Sequence, residues 1–252
     1  MTHLIYDGSF EGLLTAIFEV YEYKLSQANI ITRDNFQPAI FDTKQEIFTN
    51  DEKADRVWQG LQKKLSANAG RQFFKTFLSE EKDVGNQLLA YAQHAFSQSR
   101  SIEGDYGNAA VLYVSQTAKK VDREKHRMEA FVRFQLLKDN IFYASIQPDY
   151  NVLPLIQKHF KTRYADQQWI IYDAARKYGL HYDLHDVHMV EFNFKEGMSA
   201  LHTAEALDDR ESLYQLLWKQ YFTSVNIKER KNTRLHIQHM PRRYWKFLPE
   251  KQ

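Results

Sequence analysis

Between Ile227 and Leu248, Lys228, Arg230, Lys231, Arg234, Arg242, Arg243 and Lys246 alternate with His236, His239, Tyr244, Trp245 and Phe247. Cationic side chains neutralise phosphates and flat rings stack on unpaired bases, so this mixture suits single-stranded or distorted nucleic acid. It equally suits an amphipathic segment that turns Trp245 and Phe247 inward and leaves its charges in water. The charge balance singles out this end of the chain. The net charge is only +2, yet Val225–Gln252 alone carries eight Lys/Arg against Glu229 and Glu250.

Other residues invite narrower chemistry. His181, Asp183 and His185 would share one face of a strand, with Asp186 and His188 just beyond. Imidazole and carboxylate ligate zinc, manganese or iron, but this spacing matches no established motif and fits a solvated sheet face better, so no metal is expected. Asp7, Glu11 and Asp173 stand at element ends, where a general acid or base often sits. Capping, turn-making or local pairing is the simpler role for each. A run of mixed sign, Lys119–Arg127, reads as an exposed helix face with internal ion pairs.

Absences narrow the field. The chain has no cysteine, which excludes disulfides, thiolate zinc sites, cysteine nucleophiles and iron–sulfur clusters. Neither a Gly-x-Gly-x-x-Gly turn nor a phosphate loop is present, and no Gly-x-Ser-x-Gly or His-Glu-x-x-His motif occurs. No cofactor is expected, and the catalytic residues, if any, are unknown. No apolar run is long enough to span a bilayer and no signal-peptide pattern opens the chain, so no membrane partner and a cytoplasmic setting are expected.

The elements that must position these groups follow from periodicity. His3–Tyr6 reads as a strand, Asp7-Gly8 as a turn, and Ser9 as the cap of a helix carrying Leu13, Leu14, Ile17 and Phe18. Short extended runs are expected near Asn29–Thr32 and Glu46–Phe48. From Asp51 to about Arg127 the apolar spacing is helical. After Met128 the period changes: a hairpin of Phe131–Leu137 with Ile141–Ile146, a helix after Pro148, then strands at Trp169–Tyr172, Leu180–Leu184 and Val187–Phe194. The helical period returns over Ala204–Val225. The expected fold is α+β: a mainly helical part, residues 1–127, and a part of mostly antiparallel sheet, residues 128–252, ending in the basic-aromatic segment.

Four stretches together carry a resemblance. They are Ile5-Tyr6-Asp7-Gly8-Ser9-Phe10-Glu11-Gly12, Met128-Glu129-Ala130-Phe131-Val132-Arg133-Phe134, Pro148 through His159-Phe160-Lys161-Thr162-Arg163 to Trp169–Asp173, and Arg230-Lys231-Asn232 through Met240-Pro241-Arg242-Arg243-Tyr244-Trp245-Lys246. The chain resembles a family of DNA-metabolism or DNA-repair proteins built on a domain of unknown function. The resemblance implies a radical-SAM protein as a partner, since members are often encoded beside one. Some relatives carry a fused uracil-DNA glycosylase domain, which implies an accessory part for a chain without it. It carries over no catalytic residues. The expected role is therefore binding of single-stranded or damaged DNA in a repair or modification system. Arg230, Lys231, Arg234, Arg242, Arg243 and Lys246 would meet phosphates, Tyr244 and Trp245 would stack, and Arg133 and Arg163 would extend the surface. The alternatives are an enzyme using carboxylate acid/base chemistry on nucleic acid or nucleotide, and a scaffold whose aromatic tail docks a partner protein.

Overall fold

Leu4, Ile5 and Tyr6 are all buried, on both faces of β1 (Thr2–Tyr6), as the central strand of a covered parallel sheet requires. A computed structural model describes residues 1–37, 43–191, 207–208, 210–225, 237 and 239–251. In it β2 (Ala28–Thr32) and β3 (Thr43–Glu46) flank β1 in parallel, in the order β2-β1-β3. The runs expected at His3–Tyr6 and near Asn29–Thr32 are strands of this sheet, whereas its third strand lies at Thr43–Glu46, ahead of the run expected near Glu46–Phe48.

The chain divides into two compact units, Met1–Asp122 and Arg123–Gln252. In the first, α1 (Phe10–Glu22) follows β1, capped by the Ser9 hydroxyl, which accepts from the Gly12 amide. Then come α2 (Asp51–Lys64), α3 (Ala67–Phe77), α4 (Val84–Ser97) and α5 (Ala109–Phe131), the last containing the boundary. Leu13, Ile17, Ile30, Leu61, Phe73 and Leu88 fill the core of this unit. A Cβ at Gly85 would lie 2.7 Å from the Ile30 carbonyl oxygen, so only glycine lets α4 approach β2 this closely.

The second unit holds a five-stranded sheet in the order β4 (Gln135–Leu136), β5 (Phe142–Ile146), β6 (Trp169–Asp173), β7 (Tyr178–Tyr182) and β8 (Val187–Glu191). Only the β5–β6 pair is parallel, joined through α6 (Leu153–Arg163); the others are antiparallel. The fold is α+β. Phe160 and Tyr164, one helical turn apart, stack at 6.1 Å, and Phe160 meets buried Trp169 at 6.1 Å, which fixes α6 on the sheet. After β8, α7 (Glu211–Val225) and two 3-10 turns, Arg242–Phe247 and Pro249–Lys251, complete the described chain. Among the described residues no helix is long and apolar enough to cross a membrane.

One expectation is corrected here. The hairpin strand placed at Phe131–Leu137 begins later, because α5 runs on to Phe131. The buried residues Val121, Met128 and Val132 continue a helical stripe through that point. Arg133 then ends the helix, its Nη1 donating to the carbonyls of Ala130 at 2.8 Å and Val132 at 3.2 Å. Only Gln135 and Leu136 remain to pair with β5.

Candidate functional site

The basic-aromatic segment is described from His239 to Lys251, and its centre, Tyr244, is packed into the fold. Tyr244 is only 2% exposed. Its hydroxyl donates at 2.5 Å to Glu124 Oε1, on a side chain of α5 that is itself buried. Burial, and then the Glu124 carboxylate, push the Tyr244 phenol well above its ordinary range. Glu124 also accepts from the Asp149 amide at 2.9 Å and pairs with Arg243 at 3.1 Å and Arg127 at 3.4 Å. Arg243 reaches Asp149 Oδ2 at 2.7 Å and lies over the Tyr244 ring at 4.4 Å. Arg243 is therefore committed to two carboxylates, and Tyr244 has no face left for a base. Both were expected to meet nucleic acid; Arg243 stays exposed beside its carboxylates, whereas Tyr244 is buried. Trp245 is half-buried, with its Nε1 donating to the Met240 carbonyl at 3.1 Å. Arg242 lies 5.8 Å over the Trp245 ring and is exposed. Lys246 is exposed too and bonds Gln147. Arg230, Lys231 and Arg234 lie outside the described residues.

Arg133 has a similar fate. Its fork pairs with Glu250 at 3.0 Å, where the Glu250 side chain is fully buried and Arg133 is 22% exposed. This pair ties the last 3-10 turn to the end of α5. Beside it opens a cleft of about 710 Å³. Arg133 and Phe134 contribute from the segment after α5, Phe142 from β5, and His159, Arg163 and Tyr164 from α6. Tyr214 and Gln215 of α7 and Pro249 of the tail complete the wall. Phe134 holds the aromatic side together, meeting Tyr164 at 5.3 Å and Phe160 at 5.8 Å. Arg163 is exposed at the cleft, with its guanidinium 5.8 Å from the Tyr164 ring centre. Glu129 stands 3.9 Å from His159 Nδ1 and takes Lys125 at 2.9 Å. The cleft thus offers flat rings, an exposed guanidinium and convergent amide and imidazole groups, within the size range of a small-ligand site.

The model of DUF4130, a domain of unknown function, matches residues 82–250. The chain belongs to this family. The DUF4130 match takes in α4, α5, the whole five-stranded sheet, every wall of the cleft and the Glu124–Tyr244 network. No curated protein matches the sequence.

Within the DUF4130 region, Asp173 is fully buried at the end of β6. Its Oδ1 accepts from the amides of Ala175 at 2.9 Å and Arg176 at 3.2 Å, and its Oδ2 pairs with Arg176 at 2.9 Å. Burial raises its pKa, outweighing the guanidinium and amides that pull it down. Arg176 then spans to the Pro148 carbonyl at 3.2 Å, so Asp173 builds the β6–β7 turn and braces the loop before α6. A turn that needs an acceptor more than a charge predicts an asymmetry between variants. Asp173→Ala is expected to cost about 3 kcal/mol or more, because two amides and Arg176 lose their acceptor. Asp173→Asn, keeping Oδ1, is expected to cost about half of that. Urea unfolding of the two variants checks the ratio, and equal losses would mean that the charge, not the turn, matters.

The histidine cluster resolves into another turn. Asp183 Oδ1 accepts from the amides of His185 at 2.9 Å and Asp186 at 2.7 Å, and Oδ2 meets His188 Nε2 at 3.0 Å. The amides of Asp186 and His185 hold the Asp183 carboxyl well below its ordinary range. Among the described residues no three histidine or carboxylate side chains are placed to hold a metal ion.

Asp7 and Glu11 lie outside the family match, in the first unit. Asp7 accepts from Ser9 at 2.6 Å and 2.9 Å and from Thr49 at 2.8 Å. Burial pushes its carboxyl up, but these hydrogen bonds outweigh it and hold the group below its ordinary range. Glu11 is exposed in the first turn of α1, a position favoured by the helix dipole. A hollow of about 510 Å³ opens here at the carboxyl ends of β1 and β2, lined by Tyr6, Asp7, Arg33, Glu80 and Glu81 among others. Burial lifts the Tyr6 phenol to about 12. Asp7 and Asp173 thus build turns, and Glu11 lies in the exposed first turn of α1.

Sequence reasoning missed Glu124, Asp149, His159 and the cleft aromatics Phe134, Phe142 and Tyr214. A signal existed for Glu124 alone. It sits three residues after buried Val121 and four before buried Met128, on an apolar stripe where a lone carboxylate calls for partners.

Proposed function

We propose that this chain acts in DNA metabolism by binding single-stranded or damaged DNA, as a component of a repair or modification system that works with a radical-SAM partner. The observation that carries the reading is the cleft of the second unit, where exposed Arg163, beside Tyr164, shares the lining with Tyr214 and with half-buried His159 and Phe134. A phosphate oxygen suits the guanidinium, and an unpaired base suits the rings. The tail supports the reading through Arg242 and Lys246, which remain exposed, and through Pro249, which joins the cleft wall. Resemblance to DNA-metabolism proteins supports the choice of nucleic acid over another anionic polymer and names the partner class.

The test is fluorescence anisotropy with a labelled 15-nucleotide poly-dT strand and the matching duplex over a salt series. Single-stranded affinity is expected to exceed duplex affinity and to fall steeply with salt, as counterion release dictates. The triple variant Arg163→Ala, Arg242→Ala, Lys246→Ala is expected to bind at least tenfold more weakly and to flatten the log–log salt slope by about 2, at about 0.7 per phosphate contact on single strands. An unchanged slope would overturn the reading.

A second reading, a scaffold for a partner protein, has its own observation. Leu213, Leu216 and Leu217 of α7 are 50–53% exposed, an apolar face of the kind that protein interfaces bury.

A further inference from the structure

The walls of the cleft differ from those of a groove that tracks a phosphate backbone. Such a groove carries a file of cations along its length, with rings at intervals. Among the described residues one exposed guanidinium, Arg163, lines the pocket, together with the adjacent rings Phe134 and Tyr164 and with Tyr214, His159 and Gln167. The remaining arginine of the cleft, Arg133, is held by Glu250 and by two helix-end carbonyls, so it shapes the wall. The acids are engaged as well. Glu211 accepts from the Leu136 amide at 2.9 Å and the Gln215 side chain at 3.1 Å, and Glu129 holds Lys125. Glu129 has its charge offset by Lys125, whereas Glu211 is held by neutral donors.

The volume of about 710 Å³ accommodates a planar heterocycle with its sugar and phosphate. We infer that the cleft is a one-nucleotide site: the base lies unstacked against Tyr164 and Tyr214, and the attached phosphate pairs with Arg163. This deepens the DNA-binding reading, on which it rests. The two rings stand at the end of α6 and on α7, and a pair of rings offers faces for one base. The same chemistry is offered by a free mononucleotide and by a nucleotide turned out of a strand, and the seat in itself admits either. Turning a base out of a strand costs least where it is already unpaired or damaged.

The intact chain is titrated with three probes at fixed low salt: a 15-nucleotide poly-dT strand, a strand of the same length made of abasic tetrahydrofuran units, and thymidine 5′-monophosphate. The poly-dT strand is expected to bind at least tenfold more tightly than the abasic strand, the scale of one stacked base. Tyr214→Ala, at a side chain that is half exposed and so removable without loss of fold, is expected to erase that preference while leaving the abasic strand unchanged. Arg163→Ala is expected to weaken both strands. Binding of both strands with equal affinity would overturn the one-nucleotide site and leave the DNA-binding reading standing. Saturable monophosphate binding lost in Tyr214→Ala, with no strand bound, would keep the site, assign it to free nucleotides and overturn the DNA-binding reading. No binding of any probe would overturn both.

Discussion

Glu124→Ala is expected to lower the unfolding free energy by about 3–5 kcal/mol, the scale of a buried charge network that loses its centre. Glu124 is 1% exposed and takes four donors: the Tyr244 hydroxyl, the Asp149 amide, Arg243 and Arg127. Truncation leaves the buried Tyr244 hydroxyl and the amide of exposed Asp149 without this acceptor. The buried orphan costs about 1–3 kcal/mol, and water can serve the other. Arg243, by contrast, keeps Asp149 at 2.7 Å, so the loss is not the sum of all four contacts. Glu124→Gln is expected to lie between, since its amide oxygen still serves Tyr244 and Asp149 while the charge is gone. Urea unfolding gives the ordering, and trypsin gives the place. Cleavage after Arg242 and Arg243 is expected to accelerate in Glu124→Ala, because the segment that carries them opens locally once its anchor is removed. A loss below about 1 kcal/mol would mean that the burial of the Tyr244 ring holds the tail by itself.

That network marks where sequence reading stops. The strand Trp169–Asp173 was legible to within a residue, whereas the strand expected at Leu180–Leu184 lies two residues earlier, at Tyr178–Tyr182. The first of these was legible because alternation and turn residues are local signals, and the helix after Pro148 because its apolar spacing is local too. The parallel pairing of Thr2–Tyr6 with Ala28–Thr32 and Thr43–Glu46 was not, because each run alone is a short strand and nothing in its composition says which partner it takes. Around Phe131 two periods overlap. A stripe through Val121, Met128 and Val132 and an alternation through Phe131, Arg133 and Gln135 describe the same residues, and burial of Val132 decides for the helix.

The candidate site was legible only as a list of residue types. Composition finds the cations of the tail but not their partners, and the partners decide function. Arg243 and Arg163 read alike in a sequence. One faces Glu124 and Asp149, from elements some 120 and 95 positions away, while the other stands at an open cleft. The cleft itself draws Phe134, Phe142, Tyr164 and Tyr214 from four separate segments, so no spacing announces it. Rings assigned to stacking on bases divide in the same way: Tyr244 serves the fold, whereas Tyr214, which drew no notice, stands half exposed at the cleft.

Arg133→Ala is expected to cost about 2–4 kcal/mol of stability, toward the lower part of the range for a broken buried pair because Arg133 is 22% exposed. What makes the loss large is the other partner. The Glu250 side chain is fully buried, and removing the guanidinium leaves its carboxylate in a medium that disfavours charge. The α5 end also loses the two hydrogen bonds that Arg133 makes to the Ala130 and Val132 carbonyls. A double-mutant cycle separates these contributions. Glu250→Gln alone is expected to cost less than Arg133→Ala, and in the double variant the loss is expected to fall short of the sum by about 1–2 kcal/mol, which is the coupling across the pair. Additive losses would show that helix capping carries the whole effect. The same measurements divide the two arginines of the cleft. Arg163→Ala, at an exposed side chain, is expected to leave the unfolding curve in place while weakening poly-dT. Arg133→Ala is expected to shift the unfolding curve while changing poly-dT affinity only as far as the cleft wall it supports gives way.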